Sequence, residues 1–175
     1  VAALVGHTAL RSNHLDRLDR AARPAEIAAM RSQLREALAH GALGLTSGLA
    51  YANARAAPAE ELLALAEPLA EAGGIYCTHL RSEFAAILPA LDEAFRIGRE
   101  ARVDVVVSHI KCAGIDNHGR SGEVLAALHS ARQAQTIGWD CYPYTASSST
   151  LDLGQVDERI EIRITWSEPH PEAGG

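Results

Sequence analysis

The sequence has little of what marks a disulfide-bonded, membrane or nucleic-acid-binding protein. It holds three cysteines, Cys77, Cys112 and Cys141, and no CxxC pair. Cys77 and Cys141 fall inside segments that read as strands, which suits reduced thiols of a cytoplasmic protein better than a disulfide framework. No apolar run approaches the roughly 18 residues of a membrane-spanning helix. The start, VAALVGHTALR, has no basic region followed by a long apolar stretch, so no signal peptide is expected. Lys and Arg are scattered through a chain of net charge −6, which argues against a nucleic-acid or anionic-membrane surface. No Gly-rich fingerprint follows any strand, leaving a dinucleotide site without support. An initiator Met is also absent, and the chain is expected to begin inside something longer.

What is present suffices for one good-sized domain: 175 residues, 47% hydrophobic and 22% charged. Two short apolar runs, IYCTH and VDVVVSH, each end in a histidine, His79 and His109, with a helical run between them. Strands are expected over residues 1–7, 42–48, 75–79, 103–109 and 139–145. Helices start at Pro24 and Pro58, a third carries Leu88, Leu91, Phe95 and Gly98, and a fourth lies around 123–137, Pro68 kinking or ending the second of them early. Residues 8–23 read as a loop. Residues 152–175 form an irregular tail in which 159–167 alternates in period two and is a sixth strand candidate.

Strands recurring about every 30 residues, joined by helices, build a parallel sheet with right-handed crossovers. Both a (β/α)8 barrel segment and an open doubly wound sheet fit. Reactive side chains at the ends of several successive strands favour the barrel.

At that edge, two neutral imidazoles side by side are a reasonable divalent-metal site, most often zinc, or else two hydrogen-bonded residues at the rim of a core. Lys111 is either a solvated loop cation or an anchor for a carboxylate. Tyr51 and Tyr142 either pack or present hydroxyls to a carbonyl or carboxylate. His7 is a third histidine at the edge, either supporting the other two or purely structural. Cys77 fills an interior layer, and Arg81 and Glu83 pair on the surface of their turn.

GALGLTSGLAY, GGIYCTHLRSE, VVVSHIKCAG, DCYPYTASSST and ITWSEPHPE, in this order, resemble the D-aminoacylases (N-acyl-D-amino-acid deacylases) of the amidohydrolase superfamily. The resemblance implies an α/β fold, a segment (about strands 3–7) of an amidohydrolase-type TIM (β/α)8 barrel. It implies a zinc-dependent hydrolase that cleaves the amide bond of N-acyl-D-amino acids. It places zinc on His79 and His109, the substrate's α-carboxylate on Lys111 and Tyr142, and polarisation of the scissile carbonyl on Tyr51. Arg81 and the Ser147–Ser149 run, Ser148 at its centre, are candidates for lining the substrate pocket. The family's first-strand His-x-His pair, its metal-binding Cys, its carboxylate-clamp Arg and its general-base Asp have no counterpart here. This chain alone is therefore expected to be inactive, and its open sheet edges to favour self-association. Alternatives are a cyclic-amide hydrolase of the hydantoinase or dihydroorotase type, and a non-catalytic barrel remnant that binds another chain.

Overall fold

The computed structural model describes residues 2–149 and 152–174. Five strands, β1 (Leu4–Gly6), β2 (Gly44–Gly48), β3 (Ile75–His79), β4 (Asp104–Val107) and β5 (Ile137–Trp139), form one parallel sheet in the order β1-β2-β3-β4-β5. Between them run α1 (His7–His14), α2 (Pro24–Ala39), α3 (Ala59–Ala72), α4 (Ile87–Ala101) and α5 (Ser121–Ala131). Each helix packs on the next in one layer.

Strand alternation explains the layering. Leu45, Tyr76, Val105 and Ile137 stand in register and are buried under the helices. Ser47, Thr78 and Val107 continue that face, Ser47 Oγ lying 2.7 Å from the Tyr76 hydroxyl and 2.9 Å from Thr78 Oγ1. The opposite face carries Thr46, Cys77, Val106 and Gly138, all half-exposed. A doubly wound sheet reverses its strand order and carries helices on both faces. This sheet does neither, and its bare face is where a barrel has its lumen.

Several expectations need correction. Residues 7–14 are helical because the face that α1 buries holds His7, Leu10 and Arg11, a pattern hydropathy does not register. The first strand is short and His7 opens α1 (Val1 lies outside the described residues). α3 runs through Pro68 to Ala72, since Leu62, Leu65, Ala66 and Leu69 pack along it on both sides of the proline and outweigh one lost hydrogen bond. It ends at Gly73, whose φ of 66° suits glycine. α5 stops at Ala131 and β5 covers only Ile137–Trp139, leaving Asp140 to Thr145 irregular. The sixth strand does not form: residues 159–167 find no ladder partner among the described residues, and Ile160, Ile162, Ile164 and Trp166 are exposed. No helix among the described residues is long and apolar enough to cross a membrane.

Candidate active site

The carboxyl ends of β3 and β4 meet at one edge of the sheet. His79 is the last residue of β3 and shares the bare face with Cys77. His109 sits two residues past β4 with φ 42°, a left-handed conformation disfavoured by any side chain with a Cβ. Asp140 holds that turn. Its Oδ1 accepts the His109 N–H at 2.7 Å, and its main-chain carbonyl accepts the Ile110 N–H at 2.9 Å. The turn swings the second imidazole towards the first, so that His79 Nδ1 lies 3.0 Å from His109 Nε2, the rings edge to face.

Glu83 stands behind both rings. It is 6% exposed, with Oε1 3.2 Å from His109 Nδ1 and Oε2 4.0 Å from His79 Nε2. Lys111 Nζ donates to both of its oxygens at 2.6 Å and to the His109 carbonyl at 2.9 Å. The expected surface pair of Arg81 with Glu83 is therefore replaced. Arg81 instead binds Glu93 of α4 and donates to the Arg55 and Ala57 carbonyls, so each of its three guanidinium nitrogens has a protein partner.

The tyrosines flank this group. The Tyr51 ring packs 4.9 Å from the His79 ring, and Lys111 Nζ lies 5.6 Å above the Tyr142 ring. Burial, and then the charge of Glu83, push the Tyr142 phenol above its usual range; Ser147 eases the shift without a well-formed hydrogen bond to the hydroxyl. Ser148 is exposed in the irregular stretch after β5 and makes no hydrogen bond to these residues. His7 lies at the same edge but on the helix-covered face, fully buried, its Nε2 2.9 Å from Glu61 Oε1. Cys77 occupies the bare face, as an interior-layer residue would.

These residues fit a divalent metal. In a tetrahedral site with Zn–N near 2.05 Å, two ligand nitrogens stand roughly 3.3 Å apart, close to the observed 3.0 Å. Burial, reinforced by the charges of His109 and Lys111, lowers His79 to about 4, so its imidazole is neutral and offers a lone pair. His79 Nε2 is buried with no hydrogen-bond partner, an unused polar atom within the site. Among the described residues, His79, Glu83 and His109 are the group of ligand-type side chains that could hold an ion.

Sequence reasoning thus located both imidazoles, Lys111 and both tyrosines. It missed Glu83 as a partner of Lys111 and gave Asp140 no role. The available signal for Glu83 was its place in the turn directly after the strand that ends in His79, beside the apolar Phe84.

Comparison with known proteins bears on this geometry. No family model matches the chain. An N-acyl-D-aspartate deacylase of Alcaligenes xylosoxydans xylosoxydans is 48% identical across the whole chain. A crystal structure of D-aminoacylase, described as defining a novel subset of amidohydrolases, superposes with a TM-score of 0.97 at 43% identity over 99% of the chain. The fold thus matches a segment of the D-aminoacylase barrel. The N-acyl-D-glutamate deacylase of Bordetella bronchiseptica, solved with zinc and a phosphonate mimic of its tetrahedral intermediate, superposes over all of the chain with a TM-score of 0.94 at 41% identity. The chain spans 35% of the aspartate deacylase and 37% of each solved structure, about a third of such a protein.

Proposed function

We propose that the protein containing this chain hydrolyses the amide bond of N-acyl-D-amino acids, releasing a carboxylate and a free D-amino acid. The observation that carries the reading is the convergence of His79 Nδ1 and His109 Nε2, 3.0 Å apart, with Lys111, Tyr142 and Tyr51 around them. The names of the similar proteins, which are deacylases of N-acylated D-amino acids, support the same substrate class. His79 and His109 would hold zinc through those two nitrogens. When bound, zinc supplies a Lewis acid and a water acidified into a nucleophile.

The chain's own residues supply the rest. The Tyr51 hydroxyl donates to the scissile carbonyl oxygen as negative charge collects there. Lys111 and Tyr142 receive the α-carboxylate, Lys111 as a point charge and Tyr142 as a hydroxyl donor. Ser148 lines the substrate pocket, and Arg81 shapes its wall by fixing the Arg55 and Ala57 carbonyls. Remaining strands of the barrel would cover the bare face, in place of self-association through the open edges. Three unpaired cysteines fit a reducing, cytoplasmic setting.

The test uses the complete protein, assayed for amino-acid release from N-acetylated D- and L-aspartate, glutamate and leucine, with metal content measured in parallel. D-selective release that is lost on chelation and restored by zinc is expected. His109→Ala should abolish both turnover and stoichiometric zinc. If that variant keeps its zinc and its rate, the ligand assignment is wrong. Lys111→Ala should raise KM with the zinc retained.

A further inference from the structure

A histidine that binds a metal through one nitrogen carries its proton on the other, and that proton needs an acceptor. With His109 Nε2 turned towards His79, the proton must sit on Nδ1. Two groups contest that atom. Glu83 Oε1, at 3.2 Å, accepts an Nδ1–H. Lys111 Nζ, at 2.9 Å, can only donate, and would force the proton onto Nε2, where it bridges to His79 Nδ1 and closes the gap to a metal. Glu83 decides the contest twice over. It offers the acceptor, and its two 2.6 Å contacts to Nζ, with the third ammonium N–H on the His109 carbonyl at 2.9 Å, leave Lys111 no proton to give Nδ1. The arrangement is fixed in place, since Glu83 is buried and its main-chain carbonyl accepts the Ala113 N–H at 2.8 Å.

We propose that Glu83 is a positioning residue that selects the metal-binding tautomer of His109 and keeps Lys111 from blocking it. This rests on the reading of His79 and His109 as zinc ligands. A plain Glu–Lys ion pair would hold the turn together but would leave the tautomer to chance.

The experiment measures zinc affinity by chelator competition in the complete protein, with thermal melting alongside. Glu83→Gln keeps the shape but frees Lys111, and zinc affinity should fall about ten- to a hundred-fold, the usual effect of losing a ligand's orienting partner. Adding Lys111→Met removes the competitor and should restore most of that affinity, a rescue that a merely structural role does not give. Unchanged affinity in Glu83→Gln, or no recovery in the double variant, overturns the proposal. Should Glu83→Gln not fold, Lys111→Met alone must bind zinc at least as tightly as the wild type, and weaker binding overturns it as well. His109→Ala separates the two levels. If it keeps its zinc, the ligand reading fails first; if it loses zinc while Glu83→Gln does not weaken binding, only the role of Glu83 fails.

Discussion

Glu61→Ala should be among the most destabilising single changes in this chain. Glu61 is 1% exposed in the first turn of α3, facing a fully buried Arg11 of α1. One oxygen meets Arg11 Nη1 at 2.5 Å and His7 Nε2 at 2.9 Å; the other accepts the Ala22 N–H at 2.9 Å. The same Arg11 donates through Nη2 to the Leu18 and Arg20 carbonyls, so one cluster ties α1, the following loop and α3 together. Removing Glu61 strands a guanidinium out of reach of water, which costs about 3–5 kcal/mol. That is a large part of the ~5–15 kcal/mol that holds a domain folded. Changing both partners to Met removes both buried charges; beyond the Ala22 N–H and His7 Nε2 that Glu61→Ala also orphans, it orphans two carbonyls, at ~1–3 kcal/mol each. Because the stranded charge is gone, the double variant should be no less stable than Glu61→Ala. Urea denaturation of the complete protein measures both. A loss below about 1 kcal/mol for Glu61→Ala, or a double variant as costly as the two single ones added, would refute this account. The pH dependence adds a check. Burial alone would raise the carboxyl, but His7, Arg11 and the Ala22 amide outweigh it and hold Glu61 below its ordinary 4.5. Its contribution is therefore present above pH 4.5 and lost as pH falls through the lower folded-state value, a loss that Glu61→Gln should not show.

Three further changes test other parts of the structure. His79, lowered to about 4 from 6.5, stays neutral while the unfolded chain takes up a proton. Metal-free protein should therefore lose on the order of 2–3 kcal/mol as pH drops from 6.5 to 4, and His79→Asn should flatten that slope in pH-dependent melting. Asp140→Ala removes the acceptor that holds His109 at φ 42°, so zinc affinity by chelator competition should fall about tenfold, while Asp140→Asn keeps most of it. Gly44→Ala would drive a Cβ into the Ile75 carbonyl oxygen across the β2–β3 ladder, so a loss of about 3 kcal/mol or more is expected in denaturant unfolding.

The parts of the fold that were legible are those where burial follows hydropathy. β3, β4, α2 and α4 present apolar residues to one layer at the period of their own structure. α1 was not legible because its buried face is His7, Leu10 and Arg11, two of them polar and both paired with Glu61, 50 or more positions away. Residues 159–167 have the alternation of a strand, yet alternation states which residues would share a face and cannot supply a neighbour to pair with. Asp140 was read as strand, but its carboxylate and carbonyl serve the His109 turn instead of continuing the β5 ladder.

In the site the division is similar. His79, His109, Lys111, Tyr51 and Tyr142 stand at or just past strand ends, so the repeat of the β-α unit alone brings them to one edge. Glu83 does not follow from the repeat. Arg81, two positions earlier, offered a local partner, whereas the fold supplies each charge with a distant one: Glu93 from α4 for Arg81, and Lys111 from the loop after β4 for Glu83.

The bare face of the sheet and the side on which His79 meets His109 are the same side. A parallel sheet is stable when both faces are covered, and here the helices cover one, leaving Thr46, Cys77, Val106 and Gly138 half-exposed on the other. In a barrel that second face is lined by the remaining strands, whose carboxyl ends open at the same rim as β3 and β4. The uncovered face and the two imidazoles at its rim are thus parts of one structural feature. Whatever closes the barrel over Cys77 also brings its strand ends to His79 and His109.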